Sequence, residues 1–286
     1  FPTQYVANTS KETFRRMIAP PPRDWTHLTA PDVARADRAG WIAVLPLAAS
    51  EQHGPHLPLA TDTLIARAYL ARVLETLSAE IPASVLPVQE IGLSTEHQDY
   101  PGTLSLPYHV AIRHWMALGE SVARAGVRKL VMVTSHGGNS SAMAVAAQEL
   151  RHRLDMLAVT TSWSRFGVPD GLFPDAEIRH GIHGGAVETS IMLAAYPDLV
   201  RQDRIANFEP SSVAMERDFR HLSTGRPAPF AWSIQDLHPA GVAGDARLAS
   251  ADKGRRIIAH GARAFCELLA DIHAFDLARL GNTPQF

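Results

Sequence analysis

A single cysteine, Cys266, in 286 residues rules out an internal disulfide framework and any CxxC zinc or redox motif. No apolar run approaches about 18 residues, so a membrane-spanning helix is not expected. Basic residues never gather into a run. With 27 Lys and Arg against 29 Asp and Glu, and a formal net charge of −2, there is no electrostatic footprint for nucleic acid. Phosphate-loop (GxxxxGK[ST]) and serine-elbow (GxSxG) motifs are missing, and Ser135 beside His136 forms no recognisable triad. Repeats and low-complexity segments are also absent. The chain opens on Phe1 with no apolar signal-like segment, as a trimmed sequence would, and its cysteine usage suits a reducing, cytoplasmic location. What remains is 46% hydrophobic and 20% charged, enough to bury a sizeable core.

Residues 1–40, with Pro20, Pro21 and Pro22, read as an irregular N-terminal arm, and 41–286 as a single domain. The apolar runs 41–47, 84–91, 129–134 and 157–162 predict buried strands. Helical spacing predicts helices over 63–78, 109–125, 140–154, 188–195 and 251–280, with Asp62 as a cap for the first. The stripe Ile258, Ala262, Phe265 and Leu269 is ordinary helix core. Strands alternating with helices imply an α/β fold with a mostly parallel sheet covered on both faces. The segment 204–233 has poor periodicity and reads as a functional or interfacial excursion.

Ligand-type side chains cluster just after the predicted strands, where such sheets build their sites. Glu51, His53, His56 and Asp62 follow the first strand, and Glu96, His97 and Asp99 the second. His136 and Asn139 follow the third, while His183 and Glu188 flank a helix start. Side chains two apart on an extended segment share a face, so Glu51 and His53 can enter one cavity. His183 and Glu188 are five apart, which one regular helix would not align; His183 is therefore expected in the turn before the helix.

Glu, Asp and His without thiolate suit Zn²⁺ or Mn²⁺, with Fe²⁺ a further candidate. Glu51, His53, Asp62, His136 and Glu188 are more ligands than one catalytic zinc takes from protein. Two divalent ions bridged by Asp62 and holding a hydroxide between them would use them all. The bland readings are a cap for Asp62, a dipole-favoured first-turn acid for Glu188, and a structural turn residue for His56. Asn139 reads as a helix cap or a support for His136. Glu96 and His97 fit ligand support, subunit contact or substrate binding equally. Trp163, Phe166, Phe230 and Trp232 default to core or interface.

The segments LPLAASEQHGPHLPLATDT, EHQDYPGTLSL, SHGGNSSA, HGGAVETSIML and GVAGDARLASADKG, in that order, resemble the signature segments of the creatininase (creatinine amidohydrolase) family. The resemblance implies a three-layer α/β/α sandwich, two divalent metals, hydrolysis of an amide-type C–N bond in a small molecule, and a homo-oligomer, often a hexamer. Glu51, His53, Asp62 and His136 match the family's metal ligands. Some members carry a further carboxylate two residues after the His of the HGGN segment. That position here is Gly138, which would leave Glu188 to supply it. Creatinine-hydrolysing members carry a Trp near where this chain has Arg179 and His180, so the resemblance extends to the metal site more firmly than to creatinine. The implied reaction is attack of the bridging hydroxide on a carbonyl carbon, with His183 as the catalytic proton shuttle. Cyclic amides, formamides and a small peptide are alternative substrates, and a metal-binding homologue without catalysis is the rival of another class.

Overall fold

The computed structural model describes residues 23–36, 38 and 40–281. Most of the expected arm therefore lies outside the described residues. What is described of it packs on the sheet. The Val85 N–H donates to the Arg23 carbonyl at 2.7 Å, and the Trp25 ring lies 5.3 Å from that of Trp41. Helix α1 (Ala30–Arg35) follows, opened by a capping box between Thr29 and Asp32.

The sheet is built by β1 (Ile42–Leu47), α2 (Thr61–Thr76), β2 (Ala83–Val85), α3 (Tyr108–Arg124), β3 (Lys129–Thr134), α4 (Ser140–Leu154) and β4 (Leu157–Ser162). Helices α5 (Asp175–His180) and α6 (Ala186–Ala195) come next. Then follow β5 (Asn207–Phe208), α7 (Ser212–Asp218), β6 (Leu222–Ser223), β7 (Ala228–Pro229), α8 (Ile234–Leu237), β8 (Gly244–Asp245) and the long α9 (Ala251–Ala274).

The four main strands are all parallel, in the order β2-β1-β3-β4. Alternate residues face opposite layers. Ile42, Val44, Val131 and Val133 share one core with α2, α6 and α9, whereas Ala43, Leu45, Leu130 and Met132 share the other with α3 and α4. A strand buried on both faces must be apolar throughout, which is why 41–47 and 129–134 read as continuous runs.

Strand β2 is shorter than the expected 84–91. Pro46 of β1 has no N–H to give toward β2, so the regular ladder breaks after Val85, although Leu86 and Gln89 still donate to the Val44 and Pro46 carbonyls at 2.8 and 2.9 Å. Helix α9 ends at Ala274 rather than 280, giving way to a short 3₁₀ turn over Leu277–Arg279. Gly254 lets α9 press onto α6, because a Cβ there would strike the Ser190 carbonyl. Asp62 is not the cap of α2: Ala60 holds that place, and Asp62 is buried within the first turn. Among the described residues no helix is long and apolar enough to cross a membrane.

The neighbouring strands β1 and β3 send the helices that follow them, α2 and α4, to opposite faces of the sheet. The crevice beyond the carboxyl ends of β1 and β3 is where such a sheet takes its ligand. Residues 48–62 and 135–139 emerge there.

Candidate metal centre

At that crevice the segment after β1 brings Glu51 and His53 inward, and the first turn of α2 returns Asp62 beside them. The end of β3 supplies His136. A 3₁₀ turn over Thr95–His97, after β2, adds Glu96 and His97. His183 sits in the turn before α6, tied to Ala243 by paired backbone hydrogen bonds of 2.8 and 3.2 Å, and Glu188 lies in the first turn of α6. The turn placement lets His183 and Glu188 reach one centre despite their spacing.

Asp62 stands at the middle. Its Oδ1 is 3.6 Å from His53 Nε2 and its Oδ2 3.5 Å from His136 Nδ1, one oxygen toward each imidazole. Glu51 Oε1 lies 3.1 Å from His136 Nδ1, and Glu188 Oε2 lies 3.8 Å from His53 Nε2. Ligand atoms of Glu51, Asp62 and His136 gather within 4.8 Å of one another, as do those of His53, His183 and Glu188 and those of Glu51, His97 and His183.

The backbone fixes which nitrogen of each ring carries a proton. A carbonyl can only accept, so the nitrogen facing it must donate. His53 Nδ1 donates to the Glu51 carbonyl at 3.1 Å, His136 Nε2 to Leu93 at 2.8 Å and His183 Nε2 to Gln52 at 2.8 Å. Each neutral ring then presents a lone pair to the carboxylates, the tautomer that a metal-bound histidine requires.

His97 is wired the other way. Gln52 Oε1 accepts from the Gly54 N–H at 2.9 Å, so its Nε2 is the donor; it gives to the Gly241 carbonyl at 2.7 Å and to His97 Nδ1 at 2.8 Å. His97 therefore carries its proton on Nε2, 3.4 Å from Glu51 Oε1, while its ring stacks on His183 at 4.1 Å. It is a donor into the centre, where the other three rings are acceptors.

Buried lone pairs facing carboxylates call for a compensating positive charge, from a bound cation or from protons on the rings. Both Glu51 oxygens, Asp62 Oδ2 and His53 Nε2 are buried with no hydrogen-bond partner, and Glu51 is fully shielded from solvent. In metal-free protein, protons take the cation's place. Burial pulls His53 down, but Asp62, Glu188 and Glu51 together outweigh it and raise its pKa to about 9. The same contest at His136, against Glu51, Asp62 and Glu96, ends at about 10. Burial pushes Glu51 up, yet His136, His97 and His183 hold it well below the usual carboxylate range. Burial lifts Glu188 to about 7 against the pull of His53. This donor set fits divalent cations.

Gly138 has a specific reason to be glycine: a Cβ would collide with His136 Nε2, Glu96 Oε1 and the Leu93 carbonyl. Glu96 Oε1 fills that space, 3.6 Å from His136 Nε2, whereas Glu188 lies on the His53 side. Asn139 donates no helix cap. Its Oδ1 accepts from the Leu93 N–H at 2.9 Å, and its Nδ2 gives to the Ala48 carbonyl and Thr134 Oγ1, both at 3.1 Å, joining the segments after β1 and β2 to the end of β3. His56 Nε2 binds the Gly184 carbonyl and Thr189 Oγ1, both at 3.0 Å, and its ring stacks on Phe208. Trp232 donates to the Thr224 carbonyl at 3.2 Å and packs, with Phe230, against the small cluster of Ile234, Leu237 and Ala243.

Sequence reasoning left His97 and Glu96 unplaced. Their position after a strand marked them; the Gln52 hydrogen bond that defines His97 is not visible in a linear motif.

Comparison with known proteins follows the same outline. The family model described as creatinine amidohydrolase matches residues 26–269. The mycofactocin precursor peptide peptidase of Mycolicibacterium smegmatis is 34% identical over 222 residues, covering 76% of this chain and 80% of that protein. The creatinine amidohydrolase of Pseudomonas putida is 31% identical over 241 residues, covering 79% and 87%. A solved structure, Creatininase Mn, shares the fold with a TM-score of 0.71 at 26% identity, over 89% of this chain and all of that one. Motif order, sheet topology and matches that run through nearly all the described residues lead to one assignment: the chain belongs to the creatininase family of amidohydrolases.

Proposed function

We propose that the protein is a metal-dependent hydrolase of an amide-type C–N bond, with Glu51, Asp62 and His136 holding one divalent ion and His53, Asp62 and Glu188 a second. The observation that carries this reading is the convergence of unpaired carboxylate oxygens and backbone-oriented imidazole lone pairs on Asp62. When bound, such ions would acidify a shared water toward pKa ~7 and polarise the carbonyl of the amide. Relatives named for Mn and for Zn-Zn forms of creatininase favour those two metals.

Hydrolysis adds OH to the acyl carbon and H to the nitrogen, so a proton must travel between them. His183 Nδ1 is free to carry it, because Nε2 is held by the Gln52 carbonyl. Burial, with His53 and His97 nearby, keeps the ring well below its usual pKa, so it is neutral and its Nδ1 carries no proton. A protonated leaving nitrogen departs as an amine instead of an anion. His97 Nε2–H turns a fixed donor toward Glu51.

A second reading concerns the substrate. Relatives named as mycofactocin precursor peptide peptidases match at 33–35% identity, against 31% for the creatinine amidohydrolase. A small peptide amide is therefore favoured over creatinine. The test is turnover of an amide panel before and after chelation and dialysis. Activity should vanish and return with Mn²⁺ or Zn²⁺; full turnover by metal-free protein would refute the reading.

A further inference from the structure

A cavity of about 300 Å³ adjoins the centre, with Glu188 and Ser135 in its wall. Much of the rest is apolar, including Trp163, Val168, Ile178 and Ile182. No lysine, arginine or histidine lines it among the described residues.

The only other carboxylate, Glu177, is committed to the fold. Its Oε1 accepts from the Ala186 N–H at 2.7 Å and its Oε2 from the Asp245 N–H at 2.8 Å. Arg179 and His180, beside Ile178 in sequence, are drawn to Glu216 at 3.2 and 2.9 Å. Apart from Glu188, assigned above to a metal ion, nothing in the wall is therefore left to neutralise a charged substituent, and burying one unpaired would be costly.

Ile178 and Ile182 are 49% and 41% exposed, four residues apart on the wall of this cavity. Their apolar area is continuous with a pocket that ends at a candidate metal ligand, the position a substrate would cover.

We infer that this cavity receives an uncharged aliphatic or aromatic side group carried next to the amide bond to be cut. The position of that bond rests on the amidohydrolase reading; the chemistry of the wall does not. An apolar pocket of this kind rewards a fitting side group by about tenfold or more in kcat/KM over a charged one.

The test uses Mn²⁺-loaded full-length protein with N-acetyl-leucinamide, N-acetyl-phenylalaninamide, N-acetyl-aspartamide and N-acetyl-lysinamide. Each probe offers an amide on either side of its side chain, and product analysis shows which is cut. The leucyl and phenylalanyl probes should exceed the charged pair at least about tenfold, and Ile182→Lys should shift preference toward the aspartyl probe. Equal turnover across the panel, or preference for a charged probe, would overturn the inference and leave the amidohydrolase reading intact. If nothing is cut, calorimetric binding separates the two. Selective binding of the apolar probes keeps the pocket and counts against the hydrolase reading, whereas absence of any selective binding overturns the pocket. Should Ile182→Lys dissociate an oligomer without altering preference, the rim is a contact between copies and the inference fails.

Discussion

Gln52 Nε2 donates to His97 Nδ1 at 2.8 Å, and that one bond separates His97 from the other three histidines of the centre. Their outer nitrogens face carbonyls; the outer nitrogen of His97 faces a donor. His97 is thus expected to orient Glu51 rather than to bind metal. His97→Ala should keep its metal stoichiometry while losing roughly 10–100-fold in metal affinity or activity. His97→Gln, which retains an N–H donor, should recover much of it. Loss of a metal equivalent in His97→Ala would make the residue a ligand.

His183 poses the converse question. Its Nδ1 falls within ligand range of both Glu51 and the His53–Glu188 pair, yet proton transfer needs the same lone pair. As a proton carrier, His183→Ala should retain both ions and lose about 10²–10⁴-fold in kcat. A drop in bound metal would assign it to coordination instead.

Protons and metal compete at His53 and His136. Their folded pKa values, about 9 and about 10, exceed the ordinary value of 6.5, so their contribution to stability is full below about pH 6.5 and lost as pH rises through 9 to 10. His56 and His97, lowered to about 4 mainly by burial, and Glu188, raised to about 7 mainly by burial, have finished titrating below that range. Metal-free protein should therefore lose thermal stability between pH 7.5 and 10, and Zn²⁺-loaded protein much less. Binding of Zn²⁺ near pH 7.5 should release protons, read by calorimetry in buffers of different ionisation enthalpy. A buffer-independent heat would contradict the proposed ligands.

Packing makes a separate claim. Gly254→Ala forces a methyl group against the Ser190 carbonyl where α9 crosses α6, and should cost about 1–3 kcal/mol in denaturant unfolding. An unchanged midpoint would mean the helices can part freely.

How much of this was legible beforehand follows from which interactions are local. Strands 129–134 and 157–162 and helix 140–154 match their expected bounds, because apolar runs and helical spacing report burial directly. The break after Val85 was also written in the sequence, as the N–H that Pro46 lacks, but its consequence depends on β2 lying alongside. Asp62 read as a cap because a helix start resembles a capping site; its burial beside His53 and His136 comes from the turn over 54–60. The six residues expected to serve the site, Glu51, His53, Asp62, His136, His183 and Glu188, were legible as separate clusters, and the sheet edge brings them together. The Gln52–His97 bond and the Glu96 carboxyl over Gly138 join segments distant in sequence, and no spacing rule reaches them.

The paired-ion centre is tested most directly by metal content per chain, measured by elemental analysis on protein purified without chelator or metal-affinity resin. The account predicts close to two equivalents of Mn or Zn, reduced in Glu188→Ala. One equivalent, or none with no activation on adding metal, would contradict it.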